Sequence, residues 1–568
     1  MIWQLASLLF AAQLSEEEGV RRIHAHLLIE DAPSALNEAQ ELASQYPEST
    51  LAQTALIEVL AASGAQDPAL DLWNHLSLSH PEVLYDRHLL EEISWGVLKK
   101  GVASSQYGVR LASMIGAYLT KDVRAVPMLL KLMRDSNAVI RSIAIQMASS
   151  YRDAPLRDEM ARLMRDEKVW MVRLEVIRAA GTLRMKELAS QLQALVQSEK
   201  TTFEERQVAI SALLEMYDDV TLPELRALAH SNRAGLRHLA CQIASHFEVK
   251  EAKEEIILLL QDPNPAVRVA ALNATALFYR TGESVAVLEG PLQDSDPSVA
   301  ITASRVALLM DQAIGEENLL KWLTSPLAEN RRLAAAALAS SGKRGVPLAQ
   351  KMLKESLDPY VRANVALGLL GQRVDVGCCC DTIYQFLQEE KRMWMMDTRS
   401  NPLFQVLAPS QVRHRDQIPN YPEAVDQMTR LNLVSLLALV EDPRALSALK
   451  SFLQRKAWGI TGFAAATLIQ EGDETALDVV RELLSDDEPN VRLQACLVLA
   501  MLGKDESVIR ELQGAYATAD HEKKLHILEA IGRIGNAQSY SFLMGVLREP
   551  FPILRVAAAA ALIQSVNR

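Results

Sequence analysis

The sequence predicts an all-α fold, an α-solenoid built as a superhelical array of antiparallel helix pairs. A short motif recurs at nearly constant spacing along most of the chain, which is the mark of a repeat architecture. Apolar residues fill 49% of the 568 positions but aromatics only 5%, so the apolar weight lies in aliphatic and small residues that favour tightly packed helices. No stretch shows sustained apolar–polar alternation, and 24 glycines with 22 prolines are too few for a many-turned β fold.

The motif is plain in Asp135 to Arg141 (DSNAVIR), Asp262 to Arg268 (DPNPAVR) and Asp486 to Arg492 (DDEPNVR). In each, an aspartate precedes an arginine by six positions and an aliphatic residue stands just before the arginine. The arginine position recurs at 110, 141, 173, 206, 237, 268, 300, 331 and 362, then at 430, 461, 492, 523 and 555. Only Ala300 and Thr461 are not basic there, so the charge is a property of the repeat. Three residues later a small side chain recurs, as at Ala144, Ala209, Ala240, Ala271, Ala303, Ala334, Ala464, Ala495 and Ala558. About fifteen helix pairs follow from this period over the whole chain.

The unit around Pro265 shows how each repeat is built. Glu254 to Leu260 closes a first helix, which Asp262-Pro263 breaks, because proline lacks an N–H and restricts the residue before it. Val267 to Phe278 has helical apolar spacing, and Ala271 lets a neighbouring helix come close. The aspartate is placed to cap or charge-stabilise the start of this second helix. A charge present in every unit, with an aspartate in every unit, suits a link between neighbouring units and loops, because a repeat packs against its neighbours and needs that interface everywhere. The competing reading is a ligand-binding stripe.

These residues resemble HEAT repeats, in the short variety also found in phycobilisome-lyase-type proteins, from about residue 100 to 568. The resemblance implies a curved superhelix that holds other macromolecules. Before it, Ala35, Ala39 and Ala43 lead to Pro47, and Ala52, Ala55, Leu60, Gly64, Ala69 and Trp73 lead to Pro81. That rhythm resembles tetratricopeptide repeats, helix pairs broken at proline. The expected organisation is therefore residues 1–14 as a signal peptide or capping helix, 15–98 as tetratricopeptide-like units and 99–371 as HEAT-like units. Residues 372–428 form a degenerate repeat with an insertion, and 429–568 resume the HEAT-like units.

The degenerate unit spans the one irregular interval, between Arg362 and Arg430. Residues 391–421 carry five basic and two acidic side chains within a chain of net charge −12, and they gather aromatics and methionines. Irregular loops on a rigid scaffold often bind, and tryptophan, tyrosine, methionine and arginine are enriched at interfaces. Trp394 and Phe404 are the candidate apolar anchors for a partner, with Arg392, Arg399, Arg413 and Arg415 as complementary charges. The alternative is a divergent repeat whose aromatics fill the gap left by lost regularity.

The acidic balance argues against general nucleic-acid binding, which calls for a basic face. No nucleotide-binding glycine loop, zinc-protease helix motif or nucleophile elbow occurs. Some HEAT-family hydroxylases bind two irons through several His-Glu dipeptides; this sequence has one, His521-Glu522. His238 stands three residues before Cys241, but a metal needs three or four converging ligands. Cys241 and Cys496 sit in apolar helical stretches and are expected in the core, while Cys378, Cys379 and Cys380 fit neither a disulfide framework nor a metal site.

No apolar run reaches the roughly 18 residues that span a bilayer. Trp3 to Ala12 is a short apolar stretch followed by acidic residues; it lacks a basic leader region. A cytoplasmic location is expected, or the periplasm if residues 1–12 are a cleaved signal. The function expected is a non-catalytic protein-binding scaffold or adaptor, acting as a monomer on protein partners, with no cofactor and no metal. The alternative is lyase or chaperone-like action on a bound protein or chromophore.

Overall fold

A computed structural model describes residues 15–568 apart from 199, 217–220, 279–285, 390–391, 398–404, 408–421, 446, 449–479 and 502–505. The described chain is helical throughout, save for two three-residue strands, Met395–Asp397 and Gln405–Leu407, paired antiparallel. It divides into two compact units, residues 1–159 with 480–568 and residues 160–479.

Helix starts follow the sequence pattern. Asn137, Asn264, Asp296 and Asp358 stand four residues before the repeat position and cap the second helices of their units through side-chain oxygens. The recurring small residue is the packing point: Ala144, Ala209, Ala240, Ala271, Ala303, Ala334, Ala495 and Ala558 are all fully buried. Ala464 lies outside the described residues. Cys241 and Cys496 are buried, as expected of small core residues.

Helix stops follow a rule that no single residue type announces. Lys121, Arg184, Glu248, Asp311, Arg373 and Glu441 have positive φ, and each stands eleven residues after its repeat position. At five of these left-handed stops, all but Lys121, the next N–H reaches back to the last turn, as in Met185 N to Ala180 O at 2.9 Å and Val374 N to Leu369 O at 2.9 Å. Gly342 and Gly535 also take positive φ after helices, a conformation glycine adopts freely.

In the first unit, the N-terminal alanines of the tetratricopeptide-like rhythm are interior. Ala35, Ala39, Ala52 and Ala55 form one apolar cluster with Val20, Ile23, Leu42 and Val59. The unit also joins distant parts of the sequence. The helix Pro552–Val566 packs against Arg87–Val102 and Tyr107–Leu119. A linear array in which each repeat touches only its sequence neighbours has no such contact.

Candidate functional site

The repeat arginines are occupied by the scaffold. Arg110, Arg141, Arg206, Arg237, Arg268, Arg331, Arg492 and Arg555 fold over the loop before their own helices: Arg268 Nη1 donates to Asp262 O at 2.8 Å, and Arg331 Nη1 to Ser325 O at 2.9 Å. The same guanidinium reaches forward to the next unit. Arg110 pairs with Asp135, Arg237 with Asp262, Arg268 with Asp294 and Arg331 with Asp358. The aspartate braces its own turn as well, accepting from a main-chain N–H two residues on, at 2.8 Å for Asp135 and Asp262. Asp135 and Asp262 are each bonded by the arginine of the preceding unit, while the arginine six residues on takes that aspartate's carbonyl. The ladder links units and loops.

The irregular unit keeps this device across its insertion. Arg430, 4% exposed, pairs with Asp426 and donates to the carbonyls of Phe386, Leu387, Glu389 and Arg392. The end of the helix Val376–Gln388 and residue 392 thus take the place of the short loop. Trp394 is fully buried, with its ring centroid 4.9 Å from that of Tyr360 and 4.7 Å from that of Phe386, and its main-chain N–H donates to Asp426 at 2.7 Å. The expectation of Trp394 as a surface anchor is corrected by this burial: the ring fills the space between the unit at 359–371 and the insertion. Arg392 is 37% exposed and donates to Glu389 at 3.0 Å. Arg399, Phe404, Arg413 and Arg415 lie outside the residues whose side chains are described.

A polar groove opens instead across three successive second helices of the second unit. Its cavity measures about 790 Å³. The end of the helix Trp170–Thr182 gives Gly181, Thr182 and the following Arg184. Phe203–Met216 gives Gln207, Ser211, Leu214 and Glu215, and Ala234–His246 gives His238, Gln242 and His246. Apart from Arg184, these are the residues one, five, eight and nine positions after the repeat arginine, a single helix face. Gly181 sets the depth: a Cβ there would come within 2.7 Å of Ala212 Cα, so only glycine lets the two helices approach this closely.

Two groove atoms are buried without a hydrogen-bond partner, His238 Nδ1 and Gln242 Oε1. Burial holds the His238 imidazole below its ordinary pKa, so it is neutral at pH 7. A buried polar atom with no partner is costly, and such atoms mark places where a ligand or water completes the pairing. Sequence reading set His238 aside as a lone histidine. The signal it passed over was the run of polar residues at matching positions, Gln207, Ser211 and Glu215, then His238, Gln242 and His246.

Residues 126–214 and 479–563 match the family described as HEAT repeats. Over these two stretches the chain is similar to HEAT repeats. No curated protein matches it. Solved structures similar to it include human deoxyhypusine hydroxylase, at 14% identity over 45% of this chain and 97% of that one, with a TM-score of 0.21. The UNC-45 chaperone, described as binding and folding muscle myosin, is 15% identical over 93% of this chain and 73% of its own, with a TM-score of 0.34. The karyopherin Kap121p, bound to the extreme C-terminus of the phosphatase Cdc14p, is 11% identical over 95% and 83%, with a TM-score of 0.30. Among the described residues, no three His, Cys, Asp or Glu side chains are grouped so as to hold a metal ion. Among them, too, no helix is long and apolar enough to cross a membrane.

Proposed function

We propose that this HEAT-repeat chain is a non-catalytic scaffold or adaptor that binds a protein partner in the groove of its second helices. One observation carries the reading: the repeat charges are consumed by the scaffold, whereas His238 and Gln242 present buried polar atoms without partners to an open groove. HEAT repeats build extended binding surfaces from such stacked faces. The insertion at 391–421 is proposed as a second contact region, through Arg392, Arg399, Phe404, Arg413 and Arg415, supported by its reversed charge. Trp394 acts there by packing. Crosslinking of natively expressed protein followed by mass spectrometry tests the function. A partner protein in stoichiometric amount, linked through Lys186 beside the groove-lining residue Arg184, is the expected result. A preparation with no stoichiometric protein but with turnover of a copurifying small molecule would overturn the reading.

A further inference from the structure

We propose that the second-helix face running from His238 to Arg305 holds an acidic segment of the partner protein, with Arg305 receiving its carboxylate. This rests on the scaffold reading above and names the chemistry of the occupant.

Arg305 lies on the helix Pro297–Leu309, five residues after the repeat position that Ala300 occupies. It is 6% exposed. Its Nη2 donates to the neutral Asn273 Oδ1 at 2.7 Å, its Nε has no partner, and no carboxylate among the described residues pairs with it. Arg430, equally buried, shows what a scaffold arginine requires here: one aspartate and four carbonyls. Burying a cation without a counter-charge is expensive, and burial alone lowers the Arg305 pKa to about 10. A carboxylate of the bound partner supplies the counter-charge that the described residues do not.

The surroundings fit a peptide. The bond between Arg305 and Asn273 shows that side chains five residues after the repeat position meet across neighbouring helices. In the two helices before Asn273 that position holds Gln242 and Ser211, and in the two after Arg305 it holds Ala336 and Leu367. A strip of neutral donors and acceptors thus ends at a single cation. Leu277 and Leu309, nine residues after their repeat positions on the same helix face, are 39% and 36% exposed, so the strip is open and has apolar flanks. Guanidinium takes a carboxylate through two parallel N–H bonds, and side-chain amides pair with peptide groups. A nucleic acid would call for a run of cations, which this strip lacks.

The test uses the full chain, a fluorescein-labelled hexaglutamate peptide, its hexaglutamine counterpart and a phosphoserine peptide, read by fluorescence anisotropy at low salt. The wild type and the control Lys354→Gln, an exposed site elsewhere, should bind hexaglutamate at least tenfold more tightly than hexaglutamine. Arg305→Met should weaken hexaglutamate binding at least tenfold while leaving the unfolding temperature of the free protein unchanged or raised, because it removes an unpaired buried cation. Arg305→Met that binds like the wild type, or that melts lower, would overturn the proposal. So would phosphoserine peptide binding ten times more tightly than hexaglutamate, or no binding of hexaglutamate by the wild type. These results leave the crosslinked partner untouched, so the scaffold reading stands or falls separately.

Discussion

Replacing Asp262 with alanine removes the most enclosed link of the ladder. The Asp262 side chain is 2% exposed and that of Arg237 is 14% exposed. Asp262 accepts from Arg237 Nε and, at 3.0 Å, from Nη2, while Asn264 N–H donates to it at 2.8 Å. The pairing raises the Arg237 pKa, chiefly through the hydrogen bond to Asp262. Breaking a buried pair by deleting one partner costs about 3–5 kcal/mol, because the other charge is left uncompensated. The contrast is the exposed pair Arg162–Asp166, whose side chains are 43% and 58% exposed and whose loss should cost about 0–1 kcal/mol. A chain of this size need not unfold in two states, so the assay is native-state hydrogen exchange by mass spectrometry. Peptides from Ala234–His246 and Pro265–Thr275 should lose protection in Asp262→Ala, with units farther along unchanged, since repeat stability sums over nearest neighbours. Adding Arg237→Met should recover part of the loss. A cost equal to that of Asp166→Ala, or strict additivity with Arg237→Met, would refute the clamp.

Trp394→Ala should destabilise the region around the insertion by about 3–5 kcal/mol, a cavity effect, and expose peptides from 359–371 and 376–388 to exchange; a cost below about 1 kcal/mol would place the ring outside the core. His238 supplies a pH dependence with a definite sign. Its folded-state pKa lies below the ordinary value of about 6.5, so its contribution to stability is fully present above that pH and is lost as the pH falls through the folded value. Urea midpoints measured from pH 8 downward should therefore fall less steeply in His238→Asn than in the wild type, and parallel curves would contradict this.

The helix pairs were legible because their determinants are local. Asparagine or aspartate before a helix, a basic residue four positions later and alanine three beyond that all act within one turn or two of their own unit. The helix stops were not, because lysine, arginine, glutamate and aspartate take the left-handed position usually given to glycine. That conformation costs roughly 1–2 kcal/mol in a non-glycine residue and is held by the bonds closing the last turn. The pairing of Arg237 with Asp262 needed knowledge of how units stack, since spacing alone joins each aspartate to the arginine after it. For Trp394, composition could not separate an interface residue from a core residue, as both draw on the same aromatics. Arg305 gave no signal at all in a chain with so many arginines; only its missing counter-charge marks it.

The contact made by Pro552–Val566 changes what a mutation in one repeat can do. Gly116 lies on Tyr107–Leu119, where a Cβ would stand 2.9 Å from Ala560 Cβ and 3.3 Å from Leu98 Cδ2. Gly116→Val therefore forces apart helices that belong to opposite ends of the sequence, an overpacking worth about 1–3 kcal/mol. Polar bonds tie the C-terminal residues to the helix Gln66–Ser79 as well: Arg548 donates to Leu70 O at 2.7 Å and pairs with Asp71 at 3.0 Å, and Arg555 pairs with Asp67 at 3.1 Å. In a linear array the damage would stay with the units next to 107–119. Here it should appear as faster exchange in both 107–119 and 552–566, while peptides from 234–275 keep their protection. Charge removal by Arg548→Ala should loosen 66–79 and 540–546 by a smaller amount, because Arg548 is 43% and Asp71 75% exposed. If Gly116→Val loosens 107–119 but leaves 552–566 as protected as in the wild type, the two segments do not pack together in solution, and the first unit is two separate runs of repeats.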